Sequence, residues 1–412
     1  MKKIITLIVL LTLAALAACA SPTPTPVPPT SAPAPTEAAQ PTTAPSTEPS
    51  PQGSPAPQGS PAPQGSPAPQ GSPTPQGSPT PQGSPTPQGA VTELVLVTHD
   101  SFAVSDDVLK EFETANNAKV QILKSGDAGA ALNKAILAGT ANPLGDAMFG
   151  VDNTFLSRAL KADLFEPYKP NGADAIPAQF VLDPQFRMTP IDYGDVCLNY
   201  DIAWFKEKNI APPQSLDDLT KPEYKSLLVV ENPATSSPGL AFLLATIGKY
   251  GPDKYLDYWK QLRANDVAVS DGWEDAYYTK STWGGKGDRP IVVSYATSPA
   301  AEVYFSNGKY TTPPTGNVLG DDSCFRQIEF AGVFKNAKHP ELARKFIAFM
   351  LSTRFQEDIP TQMFVFPVNP NAKLPDFYKF AETPQHPAQV SAEDIDAHRD
   401  EWIKAWTQTV LR

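Results

Sequence analysis

Beyond about residue 90, apolar positions fall into short runs separated by helical stretches, and their order is regular. Leu94–Val97 predicts a strand, Asp106-Asp107 open a helix through Phe112, and Val120–Leu123 predicts a second strand. A second helix over Ala130–Leu137, a third strand over Ala147–Phe149 and a helix over Asn153–Leu160 follow. Strand and helix alternating in this way imply an α/β fold, a parallel sheet with helices packed on its faces and right-handed crossovers. The strand ends carry His99-Asp100-Ser101-Phe102, Ser125-Gly126-Asp127 and Asp152-Asn153. Three predicted strand ends therefore aim polar groups at one edge, which is where open α/β sheets bind ligands.

After a long irregular stretch, Ile191-Asp192-Tyr193-Gly194-Asp195 leads into a strand over Val196–Tyr200, and a short helix after Pro212-Pro213 precedes a strand over Leu227–Val230. In Thr235-Ser236-Ser237-Pro238-Gly239-Leu240, Ser237 is placed as an N-cap and Pro238 as the first helical residue. Such a start is either a plain capped helix or an anion site suited to phosphate. Helices run on to about Lys249 and from Asp253 to Leu262, where Tyr255, Tyr258 and Trp259 have the spacing of a buried face. In Val267–Ala301, Asp271-Gly272-Trp273 precede a Tyr-rich helix, and the run Ile291–Val293 delivers Ser294, Tyr295, Thr297 and Ser298 to a strand end. This stretch reads as half of a ligand cleft, although the same residues also fit ordinary core and turns. Strands over Phe325–Val333 and Phe364–Val368, an amphipathic helix over Pro340–Leu351 and a long helix from about Ala392 to Leu411 complete the pattern. It describes two lobes joined by several crossings, lobe 1 at about 91–192 and 300–390 and lobe 2 at about 193–299.

The N-terminus has a different character. Lys2-Lys3, the apolar run Ile4–Leu16 and small residues up to Cys19 form a secretory signal, too short and too early for a membrane span. Leu16-Ala17-Ala18-Cys19 resembles a bacterial lipobox, so cleavage of 1–18 and lipidation of Cys19 are expected, anchoring the exported chain to a membrane. From Ala20 to about Ala90 the chain is rich in Pro, Ser, Thr, Gln and Gly, and PQGSPA or PQGSPT repeats from Pro51 to Pro87. Such a composition cannot bury a core, so 19–90 is expected to be a disordered, semi-extended tether with a limit on the order of 200 Å. A wall-binding or glycosylated stalk is the alternative.

Charge and cysteines narrow the chemistry of the remaining part, 91–412. The formal charge is −11, and Lys2, Lys3, Glu37 and Glu48 cancel, so the excess belongs to the globular part. That disfavours nucleic acid as a partner and is compatible with a cationic ligand. With Cys19 lipidated, Cys197 and Cys324 remain as a pair for which a disulfide is open, provided their α-carbons lie within about 7 Å. His99, His339, His386 and His398 show no metal-ligand spacing beside them, and no metal is expected. The G-x-S-x-G, H-E-x-x-H, P-loop and Rossmann glycine patterns are absent, which argues against a surface enzyme.

Six segments in order carry a resemblance: THDSF at Thr98–Phe102, TSSPGL at Thr235–Leu240, GWEDAY at Gly272–Tyr277, VVSYATSPA at Val292–Ala300, HPELARKFIAFMLS at His339–Ser352 and IPTQMFVFPVN at Ile359–Asn369. Together they resemble the thiamine-binding proteins of bacterial ABC importers. The resemblance implies a two-lobed type II periplasmic-binding-protein fold, hinged to close on thiamine or its phosphates. It also implies delivery by a monomer to a membrane permease with a separate ATPase subunit, and no cofactor. By this likeness Trp273, Tyr295 and Phe366 stack on the ligand or face its phosphate, and Ser236, Ser237 and Gly239 meet its hydroxyethyl or phosphate end. Asp100, Asp152 and Asp192 face the aminopyrimidine or balance the charge; His99, Ser101, Asn153 and Tyr277 complete the expected site. His99, Ala301 and Phe366 stand where the family pattern has tyrosines. An iron(III)-binding component of the same fold is the rival, because Tyr277-Tyr278 and Tyr295 offer tyrosinate oxygens.

Overall fold

The computed structural model describes residues 91–284 and 287–412. The signal, Cys19 and the tether lie outside the described residues. Among the described residues, ten strands join in one curled sheet. They are β1 (Thr92–Thr98), β2 (Ala118–Lys124), β3 (Ala147–Asp152), β4 (Thr189–Asp201), β5 (Leu228–Glu231), β6 (Ala268–Ser270), β7 (Ile291–Tyr295), β8 (Thr315–Val318), β9 (Phe325–Val333) and β10 (Phe366–Pro367). The order is β2-β1-β3-β9-β4-β7-β5-β6, with β8 and β10 paired to β4. The sets β2-β1-β3 and β7-β5-β6 are parallel within themselves, and antiparallel β9 and β4 stand between them. The first part of β4 pairs with β9 and the last part with β7 and β8, so one strand serves both sets.

Helices cover the faces: α1 (Asp106–Asn116), α2 (Ala128–Ala138), α3 (Leu156–Lys161), α4 (Ile202–Lys208), α5 (Ser237–Tyr250), α6 (Tyr255–Ala264), α7 (Ser298–Phe305), α8 (Pro340–Met350), α9 (Thr353–Gln356), α10 (Ile359–Gln362) and α11 (Ala392–Val410). Tyr255, Tyr258 and Trp259 of α6 are buried, as their spacing predicts. Trp259 packs edge-on against Phe242 of α5 and Trp406 of α11, so the buried face of the C-terminal helix docks on α6 through an aromatic contact. Cys197 and Cys324 form a disulfide with α-carbons 4.4 Å apart, where β4 leaves β9 for β7.

Several boundaries differ from those predicted. Ile191–Asp195 is not a lead-in but part of the thirteen-residue strand β4. Its carboxylates conceal the strand pattern, and Asp195 is accommodated there by a two-point bond to Arg326 of β9, at 3.0 and 2.8 Å. The short helix expected after Pro212-Pro213 is a 3-10 segment over Leu216–Thr220, and a further helix, α4, precedes those prolines because Asp201 caps it through the Trp204 amide at 3.0 Å. The Tyr-rich helix is a π-helical segment over Asp275–Lys280, and just past the end of β7 Thr297 is the cap and Ser298 the first residue of α7. Of Phe364–Val368 only Phe366–Pro367 pair as strand. Phe364 has φ 57°, and this left-handed turn precedes the paired residues.

Candidate functional site

The carboxyl ends of the parallel strands converge on one cavity of about 850 Å³. β1 ends ahead of His99, β2 ahead of Asp127, β6 ahead of Trp273, and β7 at Tyr295, and all four of those side chains line the space. Trp273 stacks on Tyr277 at 4.9 Å and meets Tyr278 and Tyr295 edge-on, forming a wall of flat rings. Its indole N–H donates to Ser294 Oγ at 2.9 Å, which fixes the ring plane. Phe305, Tyr310, Phe364 and Trp283 extend the aromatic lining.

The charged lining is mostly acidic: Asp127, Glu274, Glu302 and Glu329 stand against Lys309. Asp127 does several tasks at once. It accepts the Ala128 amide of α2 at 2.6 Å, the Trp273 amide at 2.9 Å and the Ser237 amide at 3.5 Å, so one carboxylate ties the ends of β2, β5 and β6 together. Ser101 Oγ reaches Glu274 across the same opening at 3.5 Å. Glu302 accepts from Tyr277 Oη and from Thr315 Oγ1, and burial nevertheless pushes its carboxyl up to about 7. Tyr295 donates to Gln327 at 2.7 Å, Gln327 donates to Ser237 Oγ at 2.6 Å, and Ser237 donates to Asp152.

Of the residues expected from sequence, His99, Ser101, Ser237, Trp273, Tyr277 and Tyr295 come together on the cavity wall. The others lie elsewhere. Asp100 accepts the Gly126 amide at 2.8 Å, which steadies the turn after β2, and Asn153 ties the end of β3 to β9 through Arg326 O and Ile328 N. Asp152 and Asp192 are buried behind the wall. Ser236, not Ser237, is the N-cap of α5, reaching the Gly239 amide at 3.5 Å, and Pro238 is the second helical residue. Gly239 is a packing glycine: a Cβ there would lie 2.6 Å from the Glu231 carbonyl oxygen. Phe366 stacks on Tyr193 at 5.4 Å and leaves the cavity to Phe364.

The residues not foreseen as site members are Asp127, Glu302, Gln327 and Glu329 above all. Asp127 stood in a strand-end cluster already noted, whereas Glu329 is hidden inside the apolar run Phe325–Val333 and nothing local marks it. Tyrosinate chemistry is disfavoured here. Burial pushes the Tyr277 and Tyr295 hydroxyls well above the usual phenol range, and each already donates a hydrogen bond.

This arrangement, two parallel sets bridged by antiparallel strands with a polar and aromatic cavity at the strand ends, suits capture of a small molecule. The sequence pattern of the bacterial extracellular solute-binding proteins matches residues 143–384. The chain belongs to this family. Among its relatives, the thiamine-binding periplasmic protein of Salmonella typhimurium is 32% identical over 324 residues, covering 77% of this chain and 94% of that protein. The thiamine-binding periplasmic protein of Escherichia coli is 32% identical over 325 residues, with the same coverage. A solved periplasmic thiamin binding protein superposes with a TM-score of 0.69 at 30% identity, covering 81% of this chain and 99% of that one. The solute-binding fold expected from the resemblance is thus the fold of this chain.

Proposed function

We propose that this solute-binding protein captures thiamine or a thiamine phosphate and delivers it to the permease of an ABC importer driven by a separate ATPase subunit. The observation that carries the ligand is the pairing of an acidic lining with flat aromatic walls in one cavity. Thiamine has a permanently charged thiazolium, and a cation against an aromatic face gains roughly 0.5–2 kcal/mol per good contact. Carboxylates around it add long-range attraction and make neutral rivals weaker partners. The thiamine-binding relatives support the same ligand.

In this reading the two parallel sets move as lobes about β4 and β9, and ligand contacts from both favour the closed form that the permease recognises. Asp127, bonded to amides ahead of α2, at α5 and at Trp273, is suited to fasten that form. The protein works as a monomer without chemical conversion of its ligand, held at the cell surface through lipid on Cys19, with the tether giving it reach.

Calorimetric titration of the full chain with thiamine, its mono- and diphosphate and ferric citrate tests the proposal. Saturable binding of a thiamine form near or below about micromolar, about −8 kcal/mol, is expected. Trp273→Ala is expected to weaken it by about 1–3 kcal/mol. Silence with every thiamine form in folded protein, or unchanged affinity in the variant, overturns the ligand or the stacking role respectively.

A further inference from the structure

Three carboxylates stand in line across the sheet under the cavity. On β9, Glu329 is in register with Asp152 of β3 on one side and Asp192 of β4 on the other. Residues directly opposed on neighbouring strands share a face, with β-carbons about 4.5–5.5 Å apart. Asp152 and Asp192 are buried to within 1% of full exclusion, while Glu329 lines the cavity. Asp152 is engaged by Ser237 and Thr154, whereas the Asp192 oxygens face the Glu329 carboxyl, which can bond them only while a proton sits between the two.

His99 closes the row from the end of β1. Its Nε2 lies 3.2 Å from Glu329 Oε1, at ion-pair distance but outside hydrogen-bond geometry, and its ring is on the cavity wall. Gly150, at φ 97°, leaves the room the imidazole occupies, since a Cβ there would sit 2.2 Å from His99 Cδ2. The imidazole is thereby held against Glu329 and the Phe149 ring, 5.6 Å away. Charged groups facing it are Glu329 of β9, Asp127 ahead of α2 and Asp100 in its own turn, with Asp152 of β3 and Asp192 of β4 beyond Glu329.

Like charges this close and this buried do not all ionise. We propose that the row Asp152–Glu329–Asp192 with His99 is a proton-exchange seat for the ligand's cationic ring: an organic cation settling beside Glu329 expels a proton to solvent and replaces it as the counter-charge. The inference rests on the thiamine reading above and adds the residues that set its charge specificity. Burial lowers the His99 proton affinity, but the surrounding carboxylates outweigh it and hold the imidazole above its usual range; burial and then Glu329 push Asp192 well up. Both groups are therefore easier to protonate than in water, and a nearby cation disfavours both protonated forms, so the two effects have the same sign.

The test is calorimetric titration of the full chain with thiamine from about pH 5.5 to about pH 8, in two buffers of different ionisation enthalpy. Proton release on binding is expected, with affinity rising as pH rises by up to about tenfold per pH unit for each proton released. His99→Gln is expected to reduce the release, and Glu329→Gln to weaken binding by at least about tenfold and flatten the profile. The free ligand's titration is common to all three proteins, and the two-buffer measurement is read at about pH 7 to 8, where the aminopyrimidine of thiamine carries no proton and the exchanged proton is the protein's. Should a variant fail to fold, that measurement on the unaltered protein decides. Thiamine binding with equal heat in both buffers overturns the seat and leaves the thiamine reading standing, whereas no thiamine binding at any pH removes both.

Discussion

Two helix starts in this molecule have nearly the same sequence and different fates. Thr235-Ser236-Ser237-Pro238-Gly239 opens α5, and Ala296-Thr297-Ser298-Pro299-Ala300 opens α7. At α5 the demands are met internally. Ser236 has extended dihedrals (φ −111°, ψ 133°) and caps the Gly239 amide, Asp127 receives the Ser237 amide, and Ser237 is held between Gln327 and Asp152. At α7, Thr297 is already helical (φ −87°, ψ −12°), so its hydroxyl does not reach forward to cap. That hydroxyl is buried without a hydrogen-bond partner among the described residues, while Thr297 and Ser298 both line the cavity. The approach to each helix explains the difference. Residues 232–235 separate β5 from its cap, whereas only Ala296 separates β7 from Thr297, too short a link for the chain to enter extended. The start of α5 is thus closed by its own neighbours, whereas that of α7 leaves the Thr297 hydroxyl open beside the cavity.

The sharpest way to test the closed copy is through Asp152, which Ser237 helps to bury. Burial pushes this carboxyl up to about 6 from an ordinary 3.8, with bonds from Ser237 and Thr154 opposing the rise only in part. The native protein then holds a proton that the unfolded chain has released, so the Asp152 share of stability falls as pH rises from about 4 to about 6, and Glu302, whose carboxyl is pushed up to about 7, carries a decline of the same sign further. The Asp152 contribution is at most about 3 kcal/mol. Urea unfolding at several pH values is expected to show the decline, and Asp152→Asn to make it shallower between about pH 4 and about pH 6; an equal slope there in the variant breaks the account.

A smaller effect belongs to the cap. Ser236→Ala is expected to cost about 1 kcal/mol of stability, read as a lower urea midpoint at unchanged slope. The smallest is at the open copy. Thr297→Val removes a buried hydroxyl with nothing to bond, so stability is expected to change by less than about 0.5 kcal/mol in either direction, while thiamine affinity falls. A loss of stability as large as at Ser236 would show that the two starts are equivalent after all.

Periodicity alone was enough for much of the architecture. The alternation of strand and helix before residue 160, β9 over Phe325–Val333, the buried face of α6 and the polar strand ends at His99, Asp127 and Asp152 are local consequences of which residues are apolar and how they are spaced. Those properties are carried by neighbours in the chain, and they bring the site to the right edge of the sheet.

What faces the cavity is decided by non-local register. Asp192 looks like a loop carboxylate in sequence, yet β4 runs through it and sets it opposite Glu329, which lies inside an apolar run. Phe364 rather than Phe366 reaches the cavity, because the chain turns through a left-handed residue just before it pairs with β4. A one-residue shift of the α5 cap hands Ser236 to the helix and Ser237 to Asp152. In each case spacing along the chain specifies that a residue is buried or turned, while its partner comes from a strand or helix distant in sequence. Only the assembled sheet brings those two together, and the chemistry of the cavity is the sum of such pairings.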